Sequence, residues 1–314
     1  MLSLSDSPMR RILIACSMIF FTLLSYGQQN AMYTQYMFNT LAINPAYASV
    51  DESMTVTALS RHQWVGYKGA PNTQTISIHT PIGETDTFIG ALLINDQIGE
   101  VLKETGGYFT LSQRVEIGSE AYLAVGVNAG MSSFRANYSE LYGQSPESGN
   151  DPVFQNSSNM RGNFGIGVMY FSEKYYFGLS SPHFYQKDFM SYSKETAGRD
   201  IRPHYLFQAG SLFEVNYDFK FKPNLLIKYV NGSPLQVDLN ANILLKEKLW
   251  LGASYRSLDS FDALASYFIT PDVQFGYSYD FAHTELSKAQ KGSHEIMLKF
   301  RFAVKGRDHK ACYF

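Results

Sequence analysis

The sequence predicts an all-β fold: a transmembrane barrel of about fourteen antiparallel strands. Three observations carry that prediction. Apolar and polar residues alternate with period two over stretches of about ten residues, the length a tilted strand needs to cross a bilayer. Tyrosine and phenylalanine, 22 and 23 of them beside 2 tryptophans, crowd the ends of those stretches, where barrels carry aromatic girdles. The faces opposite the apolar ones hold Gly, Ser, Asn, Gln and charges, which suit a hydrated lumen better than the dry core of a soluble sandwich.

Composition narrows the function. Charged residues make up 17% of the 314, below the roughly one quarter of an ordinary soluble domain. Lys plus Arg (26) nearly balance Asp plus Glu (28), so there is no basic surface for nucleic acid. Aromatic content of 15% is too high for disorder. Two cysteines exclude a disulfide framework.

Residues 1–27 read as a signal peptide. Arg10 and Arg11 precede an apolar run from Ile12 to Leu24, and Ser25-Tyr26-Gly27 places small residues before a cut at Gln28. Leu13-Ile14-Ala15-Cys16 resembles a lipoprotein box, but it lies almost against Arg11 and apolar sequence continues past Cys16. Cleavage before Gln28 leaves one thiol, Cys312. No later stretch offers about 18 continuous apolar residues, so any membrane crossing falls to strands.

Residues 28–52 lack strand alternation and are rich in amides and aromatics: Gln35-Tyr36-Met37-Phe38-Asn39, then Asn44-Pro45-Ala46-Tyr47. Asn44-Pro45 breaks any helix there. Such a segment suits a plug folded into the barrel or a docking segment, its amides satisfying backbone groups and Tyr36, Phe38 and Tyr47 packing on the wall.

Strands are expected at about 53–65, 72–80, 87–96, 106–117, 120–133, 161–171, 174–181, 203–215, 219–230, 235–245, 248–256, 262–270, 272–282 and 293–304. In one, Leu235, Val237, Leu239, Ala241, Ile243 and Leu245 oppose Gln236, Asp238, Asn240 and Asn242; in another, Val273, Phe275, Tyr277, Tyr279 and Phe281 oppose Gln274, Gly276, Ser278 and Asp280. Tyr175-Tyr176-Phe177 and Tyr267-Phe268 are girdle candidates. Long connections are expected at about 134–160, 182–202 and 283–292, with a longish one at 97–105. All are odd-numbered, and outer-membrane barrels keep their longer loops on the outer side. Charges within strands (Arg114, Glu116, Glu295, Lys299, Arg301) then belong in the lumen, because a basic group facing lipid near the midplane costs about 2–4 kcal/mol. Residues 305–314 form an extension past the last strand.

No enzyme motif stands out. The seven His show no H-x-x-x-H pair, and there is no zinc-spaced cysteine pair, nucleophile elbow or P-loop. Gly165-Ile166-Gly167 sits in an alternating strand and reads as lumen-facing glycine. Ser77 and His79 share the polar face of one strand, a pairing chance supplies easily. The acidic loop around Asp151-Pro152 lacks calcium-loop spacing. No catalytic residue, metal or cofactor is expected.

Three blocks resemble a known family. Gln35-Tyr36-Met37-Phe38-Asn39 with Ile43-Asn44-Pro45-Ala46-Tyr47-Ala48 is similar to the opening signature of the PorP/SprF family. Arg61-His62-Gln63-Trp64 followed by Pro71-Asn72-Thr73-Gln74-Thr75 resembles its next block, and Ser293-His294-Glu295-Ile296 its ending. The resemblance covers essentially the whole mature chain. It implies an integral outer-membrane barrel associated with the type IX secretion system of Bacteroidota, some members serving gliding motility. A non-enzymatic role follows: tethering or shuttling secreted proteins such as adhesins. The expected partners are a secreted protein's terminal domain at the outer face, secretion components on the periplasmic side, and membrane lipids. In the loop 133–161, Tyr138, Tyr142 and Phe154 stand among small and polar residues, a composition that suits protein recognition. The alternative is a FadL-like transporter of hydrophobic solutes, which also combines about fourteen strands, an N-terminal plug and an Asn-Pro-Ala triplet.

Overall fold

The computed structural model describes residues 32–118, 120–137, 156–191, 202–257, 259–307 and 309. They form one antiparallel sheet of fifteen segments: β1 (Met54–His62), β2 (Asn72–Pro81), β3 (Thr87–Ile98), β4 (Leu102–Gly118), β5 (Ala121–Ala136), β6 (Ser157–Ser172), β7 (Tyr175–Ser191), β8 (His204–Ser211), β9 (Phe213–Asn216), β10 (Phe219–Val230), β11 (Gln236–Leu245), β12 (Leu249–Arg256), β13 (Ser260–Thr270), β14 (Val273–Ala282) and β15 (Ser293–Phe302). β8 and β9 are separated only by Leu212 and both pair with β10, so they are two lengths of one strand. Consecutive strands pair, β10 pairs with β11, and β15 returns to β1. The result is a closed barrel of fourteen staves with no free lateral edge around the ring, the arrangement that satisfies every backbone group in lipid.

Both ends of the wall, Met54 and Phe302, lie at the end that carries the short turns. Those are 82–86, 119–120, 173–174, 217–218, 246–248 and 271–272. The opposite end carries connections 63–71, 99–101, 137–156, 192–203, 231–235, 257–259 and 283–292. In an outer-membrane barrel the short-turn end is periplasmic. One expectation fails here: the connection after β3 is three residues rather than a longish loop, because β4 already begins at Leu102. Left-handed backbone closes several short turns, at Glu120 (φ 59°), Lys246 (φ 49°) and Glu247 (φ 56°). In a two-residue hairpin that geometry matches the twist of the flanking strands.

Period two becomes an inside and an outside. Along β11, Leu239 is 53% exposed while Asn240 is 4% exposed; along β14, Phe275 faces out and Gln274 is buried. The outer surface presents Ile76, Ile89, Leu93, Phe109, Leu111, Leu179, Leu251 and Phe261, while Ser112, Arg114, Asn163, Gln208, Asp238, Asn242, Glu295 and Arg301 are buried inward. Two girdle expectations need correction. Tyr175 and Phe177 face out, but Tyr176 points inward and donates to Asn224 Oδ1 at 3.0 Å. Tyr267 faces out, whereas Phe268 is partly buried against the interior. Glu116, expected in the lumen with Arg114, is exposed near the short-turn end of β4. Arginine at Leu239 or Phe275 should lower the folding stability of the barrel in bilayers by about 2–4 kcal/mol if the site is near the midplane. Leu239→Phe should be almost silent in the same denaturant titration.

The lumen holds an ordered segment packed against the wall. Residues 33–51 thread it as three 3₁₀ turns, Tyr36–Phe38, Thr40–Ala42 and Pro45–Ser49. Asn44 caps the third through Oδ1, which accepts from Ala46 N at 3.0 Å, and Pro45 takes the first position. Proline fits there because its missing N–H would have no partner in the turn. The resulting core is the plug itself: Tyr33, Tyr36, Met37, Phe38, Leu41, Ala46 and Tyr47 pack with inward Phe88, Met169, Leu206, Leu244, Trp250 and Met297.

Candidate functional site

The plug meets the wall at three levels. At the upper level, near the long-loop ends of β1, β14 and β15, Arg61 is 1% exposed and sits across the seam from Glu295. Its guanidinium pairs with Asp280 at 2.7 Å and Glu295 at 3.2 Å, and donates to Thr34 Oγ1 at 2.8 Å. The Thr34 hydroxyl donates in turn to the Asp280 carboxylate at 2.9 Å. Glu295 accepts the backbone N–H groups of Thr34 and Gln35 at 2.9 and 2.7 Å, and the Gln35 side chain donates to the Glu295 carbonyl. Beside this knot, Arg256 pairs with Asp238 at 3.0 Å and Asp259 at 3.3 Å and donates to the Tyr33 carbonyl. Buried charges are stabilised by pairing and hydrogen bonding, and here the plug backbone supplies donors to Glu295 and an acceptor to Arg256.

The middle level is a track without side chains. A Cβ at Gly126 would overlap Ala46 N and the Pro45 carbonyl carbon, and one at Gly167 would overlap Asn44 Oδ1. At Gly178 it would come within 2.8 Å of Asn44 Nδ2. These glycines let the Asn44-Pro45-Ala46 backbone lie against the wall, where Asn44 Nδ2 donates to the Val168 carbonyl and Ser180 Oγ to the Ile43 carbonyl at 2.7 Å. On the facing wall Asn39 accepts from Ser77 Oγ at 2.7 Å, and the Tyr47 ring stands edge-on to His79, centroids 5.7 Å apart. Ser77 and His79 thus both serve the plug contact. Phe38 packs on Trp250 at 6.2 Å.

The lower level is a clamp at the short-turn end. Asp51 accepts from Arg301 Nε and Nη2 at 3.0 and 2.9 Å and from Thr55 Oγ1. Burial alone raises the Asp51 pKa, but the Arg301 hydrogen bonds and charge override it and hold the carboxyl at about 2. Arg114 pairs with Glu52 and Asp86 and stacks between Phe88 and Tyr122, 5.0 and 4.7 Å from their centroids. The C-terminal extension returns to this clamp: Arg307 reaches Glu52 at 2.9 Å, and His309 lies 2.6 Å from Asp272. A carboxyl held below its unfolded value of about 3.9 stabilises the fold fully above that pH and loses the contribution as pH falls toward 2. The Asp51 part amounts to about 2–3 kcal/mol. The Asp51→Asn barrel should therefore show a flatter stability profile between pH 4 and 2, read as the unfolding midpoint in detergent.

The structure brings Gln35, Tyr36, Phe38, Asn39, Asn44, Pro45 and Tyr47 together in the lumen with Arg61. Gln63 and Trp64 stand apart, half-buried at the outer rim, where Trp64 N donates to Ser293 Oγ at 3.2 Å. There, backbone bonds between Val65 and Gly292 and between Lys291 and Val65 tie loop 63–71 to loop 283–292. Tyr138, Tyr142, Phe154 and Cys312 lie outside the described residues. Sequence reasoning missed Thr34, Arg256 and Asp238 and the plug role of Gly126 and Gly178. For Arg256, Asp238, Gly126 and Gly178 the signal was available in their inward parity within otherwise apolar-alternating strands; Thr34, in the plug, carries no such signal.

Residues 25–300 match the family model of the type IX secretion system membrane protein PorP/SprF. No curated protein matches. Similar solved structures include the CymD monoaromatic hydrocarbon channel, at 13% identity over 90% of this chain and 97% of that one, with a TM-score of 0.47. The Ralstonia pickettii toluene transporter TbuX is 10% identical over 90% and 100%, with a TM-score of 0.46. The Acinetobacter baumannii outer membrane protein Omp33 is 10% identical over 81% and 100%, with a TM-score of 0.46. With the match running from the plug through all but the last residues of β15, the chain belongs to the type IX secretion system membrane protein PorP/SprF family and is an integral β-barrel of the outer membrane.

Proposed function

We propose that the barrel works without catalysis, holding the terminal domain of a secreted protein non-covalently at its outer face while its periplasmic side meets other secretion components. The observation that carries this reading is the projecting outer part of β4–β7. These strands are 17, 16, 16 and 17 residues long, beyond the roughly 9–11 a bilayer needs. Pairing of β7 with β8 stops at Ser180 and Leu206, so the outer length of β7 rises past its neighbour. The four outer lengths make a paired flap leading into connections 137–156 and 192–203, and recognition loops carried on a strand scaffold are a common source of binding surface. Tyr138, Tyr142 and Phe154 fall in the first of those connections and are proposed as contact residues. Secreted adhesins, including gliding-related ones, are the proposed clients. The plug pinned at three levels also supports a holding role over open conduction.

A pull-down from gently solubilised membranes tests this, with the intact barrel and with residues 138–155 replaced by a short turn. A secreted protein should co-purify with the intact barrel only, and the shortened variant should release it into the medium while remaining assembled. If no secreted protein co-purifies and the deletion strain instead loses uptake of a hydrophobic solute, the transporter reading replaces this one.

A further inference from the structure

The lipid-facing side of the short-turn rim holds a crevice of about 610 Å³ between the β9–β10 and β11–β12 turns, lined by Asn216, Tyr217, Asp218, Phe219, Leu245, Lys246, Lys248 and Leu249. The two turns are tied by Lys246 N donating to the Asp218 carbonyl at 2.8 Å, and Phe219 stands opposite Leu245 in the ladder. Parity puts Phe219, Leu245 and Leu249 on the outer face, since their neighbours Leu244 and Trp250 are buried inward. The apolar wall continues outward through exposed Tyr267, the ladder partner of Leu249. Tyr217 is 94% exposed at the tip, an amphipathic ring at the height where aromatic residues sit at a membrane interface.

The polar end of the crevice has charges of both signs. Lys246 and Lys248 are exposed on one turn and Asp218 is exposed on the other. The neighbouring lysine, Lys220, is already engaged by Glu214 and Glu247 at 3.3 and 2.8 Å. We propose that this crevice binds one phospholipid of the inner leaflet whose headgroup carries a phosphate and a primary ammonium, as in phosphatidylethanolamine. The phosphate lies against the Lys246 and Lys248 ammonium groups, the headgroup ammonium donates to Asp218, and an acyl chain runs along Phe219, Leu245 and Leu249. Charge complementarity selects this headgroup. An anionic lipid without an ammonium satisfies the lysines but meets Asp218 with like charge, and a quaternary ammonium has no N–H to donate to that carboxylate.

Native mass spectrometry of the full barrel in mild detergent, given equal amounts of phosphatidylethanolamine, phosphatidylcholine and phosphatidylglycerol with identical acyl chains, reads the outcome. The barrel should retain one phosphatidylethanolamine at least fivefold over either competitor. Asp218→Asn should erase the preference over phosphatidylcholine, and Lys246→Asn with Lys248→Gln should reduce retention of all three. These side chains sit on exposed turns, and circular dichroism and heat-shifted gel mobility verify that each variant is an assembled barrel. Retention in proportion to the supplied mixture, or selectivity that survives both variants, overturns the proposal. A periplasmic protein protecting Tyr217 from labelling while no lipid is retained overturns it as well.

Discussion

Arg61→Met should loosen the plug and destabilise the barrel by about 3–5 kcal/mol, the range for stranding a buried charge by deleting its partner. The substitution keeps much of the stem volume but removes the guanidinium that neutralises Asp280 and Glu295 and donates to Thr34. Glu295 then keeps only the Thr34 and Gln35 backbone donors, with Asp280 close by and no cation between them. Two measurements read the effect together: the temperature at which the barrel loses its folded mobility on a semi-native gel, and the rate at which protease trims residues 33–51. Arg61→Lys should recover part of the thermal loss, because it restores the charge without the forked geometry. If stability and trimming match the native barrel in Arg61→Met, the upper ion-pair knot does not hold the plug.

Gly126→Leu should have the second-largest effect, about 3 kcal/mol, at the upper end of overpacking penalties. Even a Cβ at this position overlaps the Ala46 and Pro45 backbone, and backbone in a tight turn has less room to yield than a side-chain tip. The wall strand is held by β4 and β6 on either side, so the plug is the partner that gives way. The expected signature is selective: residues 33–51 become protease-sensitive while the barrel keeps its sheet content. The neighbouring Val125 faces lipid at 45% exposure, and Val125→Leu should leave both readouts unchanged. An equally protected plug in Gly126→Leu would mean that Asn44-Pro45-Ala46 can be displaced without unseating the rest.

The wall was legible because lipid and lumen impose opposite chemistry on successive residues, and β10, β11 and β14 show the contrast along most of their length. The contrast fades where strands leave the bilayer. The sequence suggests strand limits near 106, 133, 161 and 181, whereas β4 to β7 reach Leu102, Ala136, Ser157 and Ser191. Stretches such as Ser157-Ser158-Asn159 and Gln186-Lys187-Asp188 are polar on both faces and still pair through their backbones. Pro182 also disguised β7: the register with β6 shifts between Phe164 and Ile166, opposite this stretch, and a bulge of this kind accommodates a proline that a regular ladder would not. The plug was recognisable as a segment, since amides and aromatics without alternation need partners inside something. Its depth and contacts were not legible. They depend on residues up to 261 positions away, and no local pattern encodes which glycine faces which turn.

The seam between β1 and β15 is where the first and last strands of the ring meet, and the upper and lower plug contacts both fall on it. Arg61 and Glu295 face each other across it, Thr34 and Gln35 bridge it from inside, and Asp51 anchors to Arg301 at its foot. The chain's opening segment is thus enclosed by a ring that the same chain completes about 240 residues later. Closing the wall and seating the plug therefore draw on the same residues: the last strand takes the charge partner of Glu295 from β1 and that of Arg301 from the plug. A chain lacking residues 33–51 would keep the nine-residue ladder between β1 and β15 but leave Arg301 without Asp51 and Glu295 without two of its backbone donors, a ring whose last join has lost its inner lining.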